Sequence, residues 1–318
     1  MKYDERFPEA YERIFFPPDV EAFLNSIQSI IPLLHPTKQS LAEAFHRNLV
    51  SSISVASLPF QMAQSGVLGR RFQAVHMAQR IRSRNLKDEG RTEEECEKWA
   101  LQTARDIFAE EMAKGSSNPT LGDISAQILA DLTGSLGNPE FKSSTVELLR
   151  QCTVLCWGAL EVLASDLFVA ILNENPKITT ALLQDPRTRK FYQPKDFATV
   201  LEERSYDLSG CMGEVLLDQH RMDDVESLRV VFDVVLPSDP NSRTLLLSDL
   251  LWRISQDRNL IVHRRGVVDK QYVANTGSKL PLGAFLEISP SCYEEYLSFV
   301  RDLGCAILAA TVERKESQ

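Results

Sequence analysis

Apolar residues recur along this chain at intervals of three and four, and long β-branched runs alternating with period two are scarce. That spacing gathers apolar side chains on one face of a 3.6-residue helix, so an all-α fold is expected. In the first half it predicts helices over 19–34, 38–54, 68–84, 92–114 and 121–136. Breaks separate them at His35-Pro36, Glu89-Gly90 and Gly115-Ser116-Ser117-Asn118-Pro119. A long apolar helix over about Ser143 to Asn173 opens the second half, closed by Asn175-Pro176, and Pro186, Pro194, Pro237 and Pro240 punctuate shorter segments. Another strong helix is predicted over 242–263, capped by Ser242 or its neighbour. After Gly266 come two short extended pieces, around Val267 and Phe285, and then a last helix over 291–313. There is no internal repeat.

The 318 residues suffice for about two domains of ordinary size, and the turn-rich stretch Gly134 to Pro139 is the expected boundary between 1–138 and 139–318. With 43% hydrophobic and 25% charged residues, the composition is that of a globular protein able to bury a core. The most apolar stretch, Cys152 to Leu172, is interrupted by Glu161 and Asp166, each costly at a bilayer centre, so it reads as a core helix. The N-terminus, MKYDERFPEAYERIFF, has acids where a secretory signal needs a basic start and an unbroken apolar run. A cytoplasmic protein without membrane contact is expected.

Six cysteines, at 96, 152, 156, 211, 292 and 305, are scattered without a CxxC pair, and only Cys152 and Cys156 share a helix face. A zinc site there needs two more ligands that no nearby spacing supplies, so buried thiols in a reducing compartment are expected, with no metal and no cofactor. Asp223, Asp224 and Glu226 form an acidic cluster, but acids at a helix start are favoured by the dipole. His35, His46 and His220 have no ligand partners at helical spacing and read as surface or capping residues.

A formal charge of -9 argues against wholesale wrapping of nucleic acid, since phosphate binding draws on clustered Lys and Arg. Arg70 to Lys87 nevertheless holds Arg70, Arg71, Arg80, Arg82, Arg84 and Lys87 without an acid, followed by an acidic run from Asp88 to Glu97. Two readings stand: solvated helix faces that partly neutralise each other, or a surface for RNA or phosphate.

The most informative peptide is SQDRNLIVHRRGVVDKQY, Ser255 to Tyr272, with Arg258-Asn259-x-x-x-His263 at its centre. An Arg five residues before a His is weak by itself, and Arg71 to His76 repeats the spacing with Phe72 in place of the polar Asn. Helix geometry separates the two. At about 100° per residue, Leu247, Leu251, Ile254, Ile261 and Val262 fall on one apolar arc with Arg258 in its middle. A charge there needs a partner or a paired surface, unless its stem packs while the head snorkels to water. His263 shares a face with Asn259 but lies about 140° round from Arg258 on an intact helix. Two solutions bring them together: a helix that ends at His263, with Gly266 as its stop signal, or a two-fold dimer in which two copies of the motif line one cleft.

The run RNLIVHRRGVVDKQY resembles the motif segment of HEPN proteins, the higher eukaryote and prokaryote nucleotide-binding domains, whose pattern is Arg, a polar residue, then His four to six positions after the Arg. Gly266-Val-Val-Asp269-x-x-Tyr272, Trp157-Gly-Ala-Leu-Glu161 and Leu282-Gly283-x-Phe-Leu-x-Ile288-Ser289 add to the resemblance, which covers roughly 140–315. It implies that 139–318 form a HEPN-like helical bundle that dimerises and cleaves RNA without a metal; the helical N-terminal domain over 1–138 lies outside the resemblance, is lacking in small toxin members, and is expected to be regulatory or RNA-binding. The expected activity is that of an endoribonuclease, a toxin or phage-defence effector with an antitoxin or other regulatory partner. Arg258 is expected to stabilise the phosphorane, Asn259 to orient a catalytic group or substrate, and His263 to move protons. Arg264, Arg265, Arg80, Arg82 and Arg84 are expected to bind substrate. The alternative is a non-catalytic HEPN-fold module for dimerisation or for nucleotide or RNA binding.

Overall fold

In the computed structural model, residues 3–84, 90–113, 119–192, 197–236 and 239–312 are described. Lys87, Asp88, Glu89, Lys114, the Gly115–Asn118 break, Pro194, Pro237 and Glu313 lie outside them. The described chain is all-α. Its helices are α1 (Pro8–Arg13), α2 (Val20–Ile30), α3 (Pro36–Ala56), α4 (Leu58–Arg82), α5 (Glu93–Ala113), α6 (Pro119–Leu136) and α7 (Pro139–Glu174). There follow α8 (Ile178–Gln184), α9 (Pro186–Arg189), α10 (Phe197–Glu203), α11 (Met212–Gln219), α12 (Val225–Val235), α13 (Pro240–Leu246), α14 (Asp249–Arg264), α15 (Lys270–Thr276) and α16 (Pro290–Ala310). Among the described residues the extended structure reduces to an isolated antiparallel bridge between Val267 and Phe285, the two places where short extended pieces were expected.

Two helix predictions need correction. The helix expected over 68–84 starts ten residues earlier, at Leu58, with Pro59 in its first turn, where the missing N–H costs nothing. The helix expected over 242–263 is two helices. Asp239, not Ser242, caps α13 by accepting the Ser242 N–H at 2.6 Å, and the Ser248 hydroxyl then accepts the Leu250 N–H at 3.1 Å to start α14 afresh. Leu247, expected on the apolar arc, therefore lies between the helices and is exposed, as is Val262, while Leu251, Ile254 and Ile261 are buried.

The chain forms two compact units, Met1–Phe16 with Ala56–Val146, and Pro17–Val55 with Glu147–Gln318. They are interleaved in sequence, unlike the consecutive division expected at 138/139. The reason is that α2 and α3 are built into the second unit. The Ser52 hydroxyl lies 2.6 Å from the Tyr293 hydroxyl, Lys38 pairs with Glu174 at 2.6 Å, and the Arg301 guanidinium lies 4.2 Å over the Phe23 ring. A Cβ on Gly304 would come within 2.4 Å of Phe45, so α16 and α3 approach at a glycine.

In the first unit α4 packs on α5 and α6, and Ile14, Val67, Ile128, Leu129 and Leu132 close its core. A reciprocal capping box starts α5: the Thr92 N–H donates to Glu95 Oε2 at 2.8 Å and the Glu95 N–H to Thr92 Oγ1 at 3.3 Å. In the second unit the wholly buried Trp157, Phe168, Phe232, Tyr293 and Tyr296 form the core around α7. Among the described residues α7 is the one helix long and apolar enough to cross a membrane by length and composition, and half of its most apolar window is buried inside the fold. Burial pushes the Cys152 thiol up to about 12 and raises Cys156 too, so neither is ionised near neutral pH.

Candidate functional site

The motif sits in the last two turns of α14. That helix runs unbroken through His263 to Arg264 and stops where Arg265 and Gly266 take left-handed conformations, φ 55° and 77°. Gly266 is needed there twice over. Its N–H reaches back to the Leu260 carbonyl at 3.0 Å, and a Cβ on it would meet Arg150 Nε at 3.3 Å. Arg150 is itself buried and donates to the Leu286 carbonyl at 2.7 Å, which ties the helix end to the Val267–Phe285 bridge. Ending the helix at His263, one of the two ways expected to bring imidazole and guanidinium together, is therefore not what the chain does.

Arg258 is directed at α7. Its Nη2 donates to Glu161 Oε1 at 3.0 Å and Oε2 at 3.3 Å, and its Nη1 to Asn259 Oδ1 at 3.0 Å, while its Nε is buried without a partner. Glu161 also accepts the indole N–H of the buried Trp157, one turn back on α7, at 2.6 Å. Burial raises the Glu161 carboxyl above the ordinary carboxylate range, the nearby charge of Asp223 adds to this, and the bonds from Trp157 and Arg258 oppose it. The charge on the apolar face of α14 is thus paired, and both members keep about a fifth of their side-chain surface open.

His263 faces elsewhere. It is exposed and lines a shallow groove of about 160 Å³ between α14 and α15, together with Asn259, Arg264, Asp269 and Tyr272. Asn259 belongs to both settings: it shares the groove with His263 and bonds Arg258 with its carbonyl oxygen. Within one copy of the chain, then, Asn259 bonds Arg258 and shares the groove with His263, and Arg258 and His263 lie on different faces of the helix.

Of the other expected substrate-binding residues, Arg264 pairs with Asp269 at 3.1 Å and Arg265 is exposed at the helix end. Arg80, Arg82 and Arg84 lie in the first unit, exposed; Arg80 pairs with Glu97 at 2.8 Å. Arg70 bonds Asp131, and Arg71 donates to Glu111 at 2.8 Å and 3.2 Å, so three of the basic residues of that segment are paired with acids. Asp224 caps α12 by accepting the Ser227 N–H at 2.8 Å, a helix-start role for the acidic cluster. His35 and His46 bond Thr37 and Gln28, and His220 stacks on Phe191. Among the described residues no group of three or more His, Cys, Asp or Glu is gathered closely enough to hold a metal ion.

Two features were not foreseen. Glu161 is the partner of Arg258, although the signal was present: Trp157 and Glu161 stand four apart on an apolar helix that tolerates an acid only if it is satisfied. The second is Asp257, 1% exposed, which accepts the hydroxyls of Tyr272 at 2.7 Å and Tyr296 at 2.5 Å. Burial raises its carboxyl and the two hydroxyl bonds oppose the rise. It locks α14 to α15 and α16 at the residue before Arg258. Compared with known proteins, the chain matches no family model, no curated protein and no solved structure.

Proposed function

We propose that this chain is a HEPN-type endoribonuclease in which Arg258, Asn259 and His263 act on RNA. The observation that carries the reading is the continuity of Arg258, Asn259 and the His263 groove, joined through one asparagine. In the reaction the ribose 2'-hydroxyl loses its proton to a neutral imidazole as its oxygen attacks the adjacent phosphorus. The P–O5' bond breaks, and a protonated imidazole returns a proton to the leaving 5'-oxygen. The products are a 2',3'-cyclic phosphate and a free 5'-hydroxyl. A guanidinium fixed by Glu161 offers preorganised charge for the developing dianion.

Because one copy turns Arg258 and His263 to different faces, the complete site is that of a two-fold dimer. Leu155 and Val162 on α7 and Val262 on α14 are exposed apolar residues on the helices that carry Glu161 and Arg258, and a second copy would cover them. Light scattering across a dilution series is expected to show a dimer at micromolar concentration; a strict monomer there removes the shared cleft. Incubation of the purified chain with total RNA in EDTA is expected to give cleavage with cyclic phosphate ends. Activity that disappears with chelator and returns with magnesium would overturn this mechanism.

A second reading has its own observation. Glu161 already neutralises Arg258, as suits a non-catalytic HEPN-fold module in which the pair is structural. Dimerisation without any cleavage of RNA would favour it.

A further inference from the structure

On α14, Trp252, Gln256, Asn259 and His263 follow one another at spacings of four, three and four residues, and so share one face. Side chains stitch that face to α15. The Trp252 indole N–H donates to the Asn275 carbonyl at 3.2 Å, Asn275 Nδ2 donates to Gln256 Oε1 at 2.7 Å, and Gln271 Nε2 donates to Asn275 Oδ1 at 2.7 Å. Two depressions lie along this seam. One is the His263 groove; the other, about 460 Å³, opens between Asp249, Trp252, Arg253, Asn275 and Ser278, and Tyr272 lines both. Eleven residues of helix carry the seam about 16 Å from Trp252 to His263, room for roughly four nucleotides of a stacked strand.

The far end holds two groups that the ribonuclease reading does not use. Trp252 has its N–H edge pinned and 37% of its surface open. Arg253 is exposed and, among the described residues, makes no hydrogen bond or salt bridge, although the nearby Tyr296, Cys292, Asp257 and Tyr272 favour its charged form. Around them the sequence reverses the sign of the chain: residues 249–279 hold six Lys and Arg against three Asp, a net +3 within a protein of net charge -9. Of those charges Asp257 is buried, Asp269 is paired with Arg264 and Arg258 with Glu161, and Asp249 lines the same depression as Arg253. An exposed guanidinium without a salt bridge, an open indole and a row of amides match the phosphate, the base face and the base edges of an unpaired strand. A duplex keeps its bases stacked and withholds the base face from the indole.

We infer that the α14–α15 seam is the path of single-stranded RNA, with a nucleotide subsite at Trp252 and Arg253 about 16 Å from His263. The identity of the ligand as RNA rests on the ribonuclease reading. The base stacks on Trp252, and its phosphate meets Arg253.

The test is fluorescence anisotropy with a labelled single-stranded RNA of about ten nucleotides, on the full chain carrying His263→Ala so that the probe survives. Adding Trp252→Ala is expected to weaken binding by roughly five- to one-hundred-fold, and Trp252→Phe to restore most of it. Arg253→Gln is expected to flatten the dependence of log affinity on log salt by about 0.7. Melting curves accompany each variant, and Arg253→Gln, at an exposed unpaired side chain, keeps the test open if Trp252→Ala unfolds. Binding that ignores both positions, equal binding of the same sequence as a duplex, or no RNA binding by the parent would each overturn the subsite. Cleavage by the wild-type chain together with binding that ignores both positions condemns the subsite and spares the ribonuclease. Binding that depends on both positions, with no cleavage by the wild-type chain, condemns the ribonuclease and spares the subsite.

Discussion

His263→Ala is expected to lower RNA cleavage by about 10²- to 10⁴-fold, the range of a lost general acid-base group, with stability within about 0.5 kcal/mol of wild type. The imidazole is exposed and makes no hydrogen bond among the described residues, so nothing in the fold depends on it. Arg258→Ala is expected to lose cleavage as well, but with a different stability signature. It strips Glu161 of its counter-ion and leaves a half-buried carboxylate with only Trp157 for a partner, a loss of about 1–3 kcal/mol at neutral pH. The sign of the pH dependence follows from the direction of the Glu161 shift. Its carboxyl is already raised in the folded state, and losing Arg258 removes two influences that lower it, so the folded variant takes up that proton more readily than the unfolded chain. The deficit should be full at neutral pH and above, and shrink as pH falls through the folded pKa of Glu161. Paired activity assays and thermal melts over pH read both effects. The double variant Arg71→Ala with His76→Ala, the spacing repeat in the first unit, should leave cleavage intact. If instead that double variant kills activity while His263→Ala and Arg258→Ala cleave like wild type, the site has been assigned to the wrong motif.

The largest effect on stability is expected at Asp257. Asp257→Ala leaves the hydroxyls of Tyr272 and Tyr296 buried without their acceptor, at a cost of about 2–5 kcal/mol. Asp257→Asn keeps the shape and one acceptor, and should lose less. Because burial raises the Asp257 carboxyl in the folded state, wild type gains stability from this group as pH falls from neutral through its folded pKa, and that gain is complete below the unfolded value. The Asn variant should lack this slope. Urea titrations at several pH values measure it; a loss under about 1 kcal/mol for the Ala variant would show that the cluster does not hold α14 in place.

Much of the helical fold was legible because helix periodicity and end signals are local. His35-Pro36 and Asn175-Pro176 each act within a few residues of themselves, and α3 begins and α7 ends there. The two misjudged boundaries are local competitions of nearly equal partners. Ser242 and Asp239 both offer a cap, and the carboxylate took the N–H; Ser248 then opened a second helix within a run that periodicity alone reads as continuous. The interleaving of the two units was not legible, since it depends on which distant surface α2 and α3 bury, as Phe23 beneath Arg301 and Phe45 against Gly304 show.

At the candidate site the division is sharper. The sequence by itself determined that Arg258 stands on an apolar face, that Asn259 and His263 share another, and that Gly266 stops the helix, because each follows from about 100° per residue and the φ freedom of glycine. Only the tertiary structure decided that Arg258 meets Glu161, 97 residues away, and that Asp257 ties three helices through two tyrosines. It also decided that Trp252 and Arg253 open onto the seam that leads to His263. The pairing of a buried charge is set by whichever opposite group the packing of another helix carries within about 3 Å, and no periodicity along one chain segment encodes that distance.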